Sequence, residues 1–154
     1  MSSTTFSGPV TSTAGFVSGA DSLVSVTTTP LAVTAAAHAG RTILLDLAGA
    51  QAVTLPAASG TGNSYRFVVV TTATGDHTIT TDGSDVMIGM AHLANDGGAT
   101  ASLFVAATST VITLDGSTTG GILGATVELQ DVAEATWTVS VVSSATGAEA
   151  TPFS

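Results

Sequence analysis

The chain has 154 residues, the size of one domain that can bury a sizeable hydrophobic core. Only 8% of the residues are charged, the formal net charge is −9, and Arg41 and Arg66 are the only Lys or Arg. Such a chain repels phosphate backbones and anionic lipids, so we expect neither nucleic acid nor a membrane as a partner. Cysteine is absent, which excludes disulfides, thiol nucleophiles and cysteine-based metal sites.

The residue pattern favours β structure from Leu23 onward. About a fifth of the residues are Thr, and Thr, Val and Ile fit a pleated, half-buried surface. Short runs alternate apolar and polar residues and are separated by Gly, Pro, Asp and Ser. Strands are predicted at 23–27, 31–35, 42–47, 52–55, 65–70, 77–81, 86–90, 101–106, 110–114, 125–130 and 136–142. We therefore expect an all-β fold, an antiparallel β-sandwich or β-barrel of jelly-roll type.

Two details of the pattern add to this expectation. The run from Ala35 to Ala39 is rich in Ala but too short for a stable helix, so we expect a strand end or a single turn. The run 67–70 followed by 79–84 is echoed by 104–107 followed by 112–117. Each pair is predicted to form a hairpin that ends in an Asp-Gly turn.

The predicted organisation is an extended N-terminal arm at 1–21, a single β domain at 22–144 and a C-terminal tail at 145–154. Phe6, Pro9, Phe16 and Phe153 stand in these flanking segments among Ser, Thr and Gly, and we interpret them as protein-interface residues. Trp137 and Phe67 are expected in the core. The first residues contain neither a basic region nor an apolar run, so we expect no secretory signal and assembly in the cytoplasm.

The sequence offers only weak candidates for metal-binding or catalytic residues. His38, His77 and His92 have no second histidine at metal-ligand spacing. Asp82 and Asp85 lack the further ligands of a Ca²⁺ loop, and turn chemistry explains them better. We expect no cofactor, no metal and no catalytic residue.

Two further groups of residues are weak candidates for a catalytic or binding site. Glu128, Asp131 and Glu134 precede Trp137, and two carboxylates near an aromatic ring occur in glycosidase clefts, but spacing along the chain says nothing about distance in space. The Gly-rich run 116–121 has no Lys to hold a phosphate. The sequence therefore indicates a protein that is not an enzyme.

Three segments carry a resemblance to a known class of proteins. They are Thr5 to Phe16 at the N-terminus; Val53 to Ala58 with Tyr65 to Val69 in the centre; and Gly124 to Asp131, Trp137 to Val139 and Thr151 to Ser154 near the end. In these segments the chain resembles small virion proteins of tailed bacteriophages, of the head decoration or capsid cement type.

The resemblance implies a non-enzymatic role on the outer surface of a phage head. Proteins of this class form small β-sandwiches or β-barrels that trimerise and stabilise the head at capsomer junctions. The implied partners are two further copies of the chain and the major capsid protein. A low-charge, Thr-rich surface suits such interfaces because little charge is desolvated on assembly.

Two other functions remain open at this point. A receptor- or carbohydrate-binding β module of a tail fibre or spike would present aromatic platforms, yet the single Trp and the single Tyr both lie in predicted strands. A structural component of the tail or neck would share the β class.

Overall fold

The computed structural model describes residues 22–97 and 100–154, and these form eleven strands and one single-turn helix. The elements are β1 Leu23–Val26, β2 Leu31–Ala32, α1 Ala35–His38, β3 Thr42–Leu45, β4 Gln51–Thr54, β5 Ser64–Val69, β6 His77–Thr80, β7 Val86–Asn95, β8 Ala101–Ser109, β9 Val111–Leu114, β10 Thr126–Ala133 and β11 Thr136–Ala145. The predicted β class and the single turn at Ala35 are confirmed. The predicted arm at 1–21, with Phe6, Pro9 and Phe16, lies outside the described residues.

The strands form two mixed sheets. A seven-stranded sheet has the order β1-β3-β5-β10-β11-β7-β8, and a four-stranded sheet has the order β2-β4-β6-β9. From β1 to β6 the chain alternates between the two sheets, so residues 23–80 wind as three coils. Each coil adds one strand to each sheet, in the manner of a parallel β-helix.

The expectation of antiparallel sheets is wrong for this coiled part and for one further pair. Five strand pairs are parallel: β1–β3, β3–β5, β2–β4, β4–β6 and β7–β11. The other four pairs are antiparallel. A strand that returns after a crossing to the other sheet runs in the same direction as its neighbour. The alternation of apolar and polar residues is the same in both kinds of sheet, so it does not report strand direction.

The two predicted hairpins are also wrong. β5 and β6 belong to different sheets, and so do β8 and β9, because each connection crosses from the larger sheet to the smaller one. The echoed segments pair with each other instead, since β6 and β9 are antiparallel neighbours with Ile79 opposite Ile112. Of the two predicted Asp-Gly turns, the one after β6 is closed by a hydrogen bond of 3.0 Å from the Asp85 N–H to the Asp82 carbonyl oxygen. After β9 the chain bends at Gly116, which has a φ of 74°.

Both sheets contribute to one hydrophobic core. Its largest members are fully buried and include Trp137, Tyr65 and Phe67 of the seven-stranded sheet and Ile79 of the four-stranded sheet. The Tyr65 and Trp137 rings meet edge to face with centroids 5.7 Å apart, a favoured geometry for aromatic pairs. The predicted placement of Trp137 and Phe67 in the core is confirmed.

The last residues of the chain cover one edge of the four-stranded sheet. Ser154 and Val111 exchange two backbone hydrogen bonds of 3.0 Å, and the Thr113 N–H donates to the Pro152 carbonyl at 2.8 Å. Phe153 is 7% exposed and belongs to the core. The end of the predicted C-terminal tail therefore pairs with β9, and Phe153, which was predicted as a protein-interface residue, is buried within its own chain.

Replacing Phe153 with Ala should lower the free energy of unfolding by about 3 kcal/mol, because a buried ring is removed and the terminal segment loses its hold on β9. Urea unfolding of both proteins measures the change. Leu123→Ala is the control, since Leu123 is 65% exposed and its truncation should cost less than about 0.5 kcal/mol. Equal stability of F153A and the unmodified protein would contradict this account.

Candidate functional site

The outward-facing side chains of the seven-stranded sheet form one regular surface across its strands. Strand register places them in two rows that cross all seven strands. The first row is Leu23, Thr42, Arg66, Glu128, Ser140, Met90 and Val105, and the second is Ser25, Leu44, Val68, Thr126, Val142, His92 and Leu103. These two rows are called the outer face below.

The outer face is nearly free of net charge. Its two charged side chains, Arg66 and Glu128, form an ion pair with Nε and Oε1 3.2 Å apart. The remaining acidic residues of the described part lie in turns or inside the domain: Asp46, Asp76, Asp82, Asp85, Asp96, Asp115, Asp131, Glu134 and Glu149. Among the described residues, the outer face therefore carries no unpaired acidic side chain.

At the β8 end of this sheet the outward side is apolar and exposed. Its large side chains come from β7, β8 and β11 and are called the apolar strip: Ile88 (39% exposed), Met90 (43%), Leu103 (63%), Val105 (71%) and Val142 (54%). Met90 is directly opposite Val105 in the β7–β8 ladder. Contiguous exposed apolar residues on a folded domain mark interaction surfaces more often than isolated ones do.

β8, which bears the most exposed part of this strip, is also an unprotected sheet edge. It has nine residues with no charge and no proline, whereas natural edge strands are normally short, charged or covered. The other three edges meet that rule, because β1 and β2 have four and two residues and β9 is covered by the chain terminus. Within the described residues, no backbone hydrogen bond outside the ladder with β7 engages residues 101–109.

A groove lies on the same sheet, towards the β3 and β5 side. It has a volume of about 510 Å³ and is lined by Arg41, Arg66, Gln130, Thr138 and Ser140, among others. Arg41 and Arg66, the two basic residues of the chain, therefore both line this groove. Arg66 is paired with Glu128, and Arg41 forms no ion pair within the described residues. This groove, called the arginine groove, offers cationic and hydroxyl groups to a ligand.

Asp131 has a structural role that the sequence analysis missed. It is 2% exposed, and its carboxylate accepts hydrogen bonds from the backbone N–H groups of Ser59, Gly60 and Thr61 and from the Thr61 hydroxyl, at 2.6–3.0 Å. The carboxylate thus fixes the Gly-rich turn that leads into β5. Period-two alternation places Asp131 on the inner face with Val127 and Leu129, which was the available signal.

These contacts decide the ionisation of Asp131. Burial by itself would raise the pKa of its carboxyl group, but the hydrogen bonds from Thr61, Gly60 and Ser59 outweigh burial and hold the pKa below the ordinary value of 3.8. Asp115 behaves alike: burial opposes ionisation, and bonds from Thr119, Ser117 and Thr118 bring its pKa below the ordinary value.

The three candidate glycosidase carboxylates do not converge. Glu128 points to the outer face, while Asp131 points into the domain and holds a turn. Glu134 is exposed at the isolated bridge to Ser59. The arrangement leaves no facing pair of carboxylates among these three residues.

His38, His77 and Asp85 form hydrogen bonds that hold neighbouring backbone segments in place. His38 Nδ1 lies 3.0 Å from the Thr34 N, closing the single helical turn, and His77 Nε2 lies 2.7 Å from the Leu47 carbonyl oxygen. Asp85 accepts a hydrogen bond of 2.6 Å from the Ala58 N–H. His92 is exposed on the outer face. Within residues 22–97 and 100–154, no three His, Asp or Glu side chains are grouped so that they could hold a metal ion.

Helices in the described ranges are too short to cross a membrane. Comparisons with protein-family models, with curated proteins and with solved structures find no match for this chain.

Replacing Asp131 with Ala should lower the free energy of unfolding by about 3 kcal/mol, because three backbone N–H groups lose a charged acceptor. Urea unfolding at neutral pH measures the loss. Glu134→Ala, which removes an exposed carboxylate just after β10, is the matched control and should change stability little. Equal effects of the two variants would contradict the assigned role of Asp131.

The same pair of variants gives a pH test. A pKa below its ordinary value in the folded protein means that the carboxylate stabilises the fold above that value. This contribution is lost as the pH falls through the ordinary value of 3.8 towards the folded pKa. Stability should therefore fall less steeply below about pH 4 in D131A than in E134A. Parallel curves for the two variants would contradict the assignment.

Proposed function

We propose that the chain is a non-enzymatic virion structural protein, a head decoration protein that assembles as a homotrimer and stabilises a phage head at capsomer junctions. The observation that carries this proposal is the apolar strip beside the free, uncharged edge of β8. The sequence resemblance described above supports the same class. For the fold we infer a sandwich of the two sheets rather than a closed barrel or a jelly roll, because both sheets have free edges and parallel pairs.

The charge distribution supports assembly through the outer face. Two copies with a net charge of −9 each repel one another wherever their acidic turns meet. The outer face avoids that cost because its one acidic side chain is already paired with Arg66. Each large side chain of the apolar strip that becomes fully buried contributes roughly 1.5–3 kcal/mol before the entropy cost of association.

A decoration role follows from repetition of such contacts. A symmetric oligomer presents the same surface several times, so weak contacts to a shell add up across the sites that it bridges. The proposed partner for the remaining surface is the major capsid protein. In this proposal the chain lies on the outer surface of the head, away from packaged DNA, because an acidic protein repels DNA.

Light scattering of the purified chain should give three times the chain mass of 15.0 kDa. The double substitution Leu103→Asp and Val105→Asp should reduce this mass to that of one chain, because charges would have to be buried at the interface. Leu123→Asp is the control, since Leu123 is about as exposed as Leu103 but lies outside the strip. A single-chain mass for the unmodified protein at every micromolar concentration would overturn the proposed homotrimer.

Docking on the head needs a separate measurement. Heads assembled without this protein should bind the unmodified chain at a fixed number of copies per head and should then resist heating or dilution better. Absence of binding by a chain that does form trimers would remove the capsid role and leave a tail or neck component as the remaining structural function.

The arginine groove favours one second candidate, a receptor-binding module that recognises acidic glycans. Arg41, which forms no ion pair within the described residues, can hold a sugar carboxylate, and Gln130, Thr138 and Ser140 can bond its hydroxyls. Glu128 also lines the groove, where it is paired with Arg66. Arg41→Gln should then weaken retention on an acidic glycan about tenfold, and Arg41→Lys, which keeps the charge but loses the planar fork, should weaken it less. Failure of the unmodified protein to bind any acidic glycan would dismiss this candidate.

A further inference from the structure

We infer that His92 makes assembly through the apolar strip depend on pH, so that copies associate while its imidazole is neutral and separate when the ring is charged. This inference rests on the proposed homotrimer and adds its regulation. The occupant of the strip is the same strip on the neighbouring copies, which meets it face to face.

The first argument is the place of His92 inside the apolar strip. The ring is opposite Val142 in the β7–β11 ladder and opposite Leu103 in the β7–β8 ladder. Met90 stands two residues earlier on β7 and therefore points to the same side of the sheet. All four side chains are exposed. A partner that covers both Val142 and Leu103 must also cover the ring that lies between them.

The second argument is that the surrounding side chains cannot neutralise a charge on His92. The neighbours of the ring on the outward side are Met90 and Ala94 of β7, Val142 and Ser144 of β11, and Leu103 and Ala101 of β8. None of these side chains ionises. Within the described residues, no carboxylate forms an ion pair with His92.

The acidic groups of the adjoining elements lie elsewhere. Glu128 is two strands away on β10 and is already ion-paired, and Asp96 follows the end of β7. Glu149 lies near Ser102, with Oε2 and Oγ 3.4 Å apart. The Ser102 side chain points to the opposite side of β8 from Leu103, because successive residues of a strand alternate. No acidic group of the same copy therefore compensates a charged His92.

The third argument is the cost of burying that charge between copies. In a single chain the exposed ring keeps its water, whether it is neutral or charged. Contact between apolar strips removes this water, and a buried charge without a partner is strongly disfavoured. The neighbouring outer faces offer no unpaired carboxylate, since each copy presents the same residues. A neutral imidazole avoids this cost, and histidine ordinarily changes its charge between about pH 5 and pH 8.

Light scattering of the full-length chain over a range of concentrations, at about pH 8 and about pH 5.5, tests the inference. The matched variant is His92→Gln, whose side chain is polar but does not ionise. Asp and Glu ordinarily lose their protons near pH 4 and stay charged at both values. His38 and His77 are present in both proteins, so the difference between the two isolates His92. Far-UV circular dichroism confirms that both proteins stay folded.

For the unmodified chain, the concentration at half assembly should rise at least about tenfold at the lower pH, since an ordinary histidine is roughly nine-tenths charged there. For His92→Gln it should change less than about twofold. A permanent charge gives the complementary result: His92→Lys should stay as single chains at about pH 8. Thr54→Lys, which adds the same charge at an exposed position of β4 in the other sheet, should assemble like the unmodified chain.

Equal pH dependence of His92→Gln and the unmodified chain would overturn the inference, and so would an assembled unmodified chain that does not respond to pH. Stronger assembly at the lower pH would overturn it too, because a charged His92 would then face a carboxylate of the neighbouring copy. Failure of the proposed function gives a different result, in which the unmodified chain has the mass of one chain at about pH 8 at every concentration.

Discussion

The single core between the two sheets is the constraint on which the other features of this protein depend. A chain with so few charges and aromatic rings can fold only by burying many small aliphatic side chains together. The alternation of β1 to β6 between the sheets does this, because each coil adds one inward-facing row to each side of the core. Parallel pairing in both sheets follows from the same winding.

The winding also determines where the charges and the edges lie. Strands give one face to the core, so the acidic residues collect in the turns, and the outer face of the larger sheet keeps one ion pair, Arg66 with Glu128. The buried carboxylate of Asp131 is an exception, and it is stabilised because four hydrogen bonds converge on it. Of the four sheet edges, β8 alone is long, neutral and uncovered within the described residues. This asymmetry is the physical basis for proposing an assembled state.

Much of this fold was predictable from local pattern. Alternation of apolar and polar residues predicted the strands and placed Trp137 and Phe67 in the core, because a period of two is a property of the strand itself. Strand direction and partner were not predictable, since they depend on which sheet the chain enters after each turn. The paired echo segments of β6 and β9 were therefore mistaken for parts of two separate hairpins.

The candidate site was less accessible to sequence reasoning. The run Leu103-Phe104-Val105 is apolar on both faces, a signal that both faces of β8 need cover, but only the sheet order shows that β8 is an edge. The meeting of Arg41 and Arg66 in one groove likewise depends on the pairing of β3 with β5. Phe153 was predicted as a protein-interface residue, whereas its burial against β9 depends on a contact between distant segments of the same chain.

Amide hydrogen exchange of β8, followed across protein concentration, tests the central claim most directly. The claim is that the free edge of β8 is covered by another copy in the assembled protein. We expect all amides of residues 101–109 to exchange slowly at high concentration, and those that point away from β7 to exchange fast on dilution to single chains. Fast exchange of these outward amides at every concentration, in samples that light scattering shows to be assembled, would contradict the account.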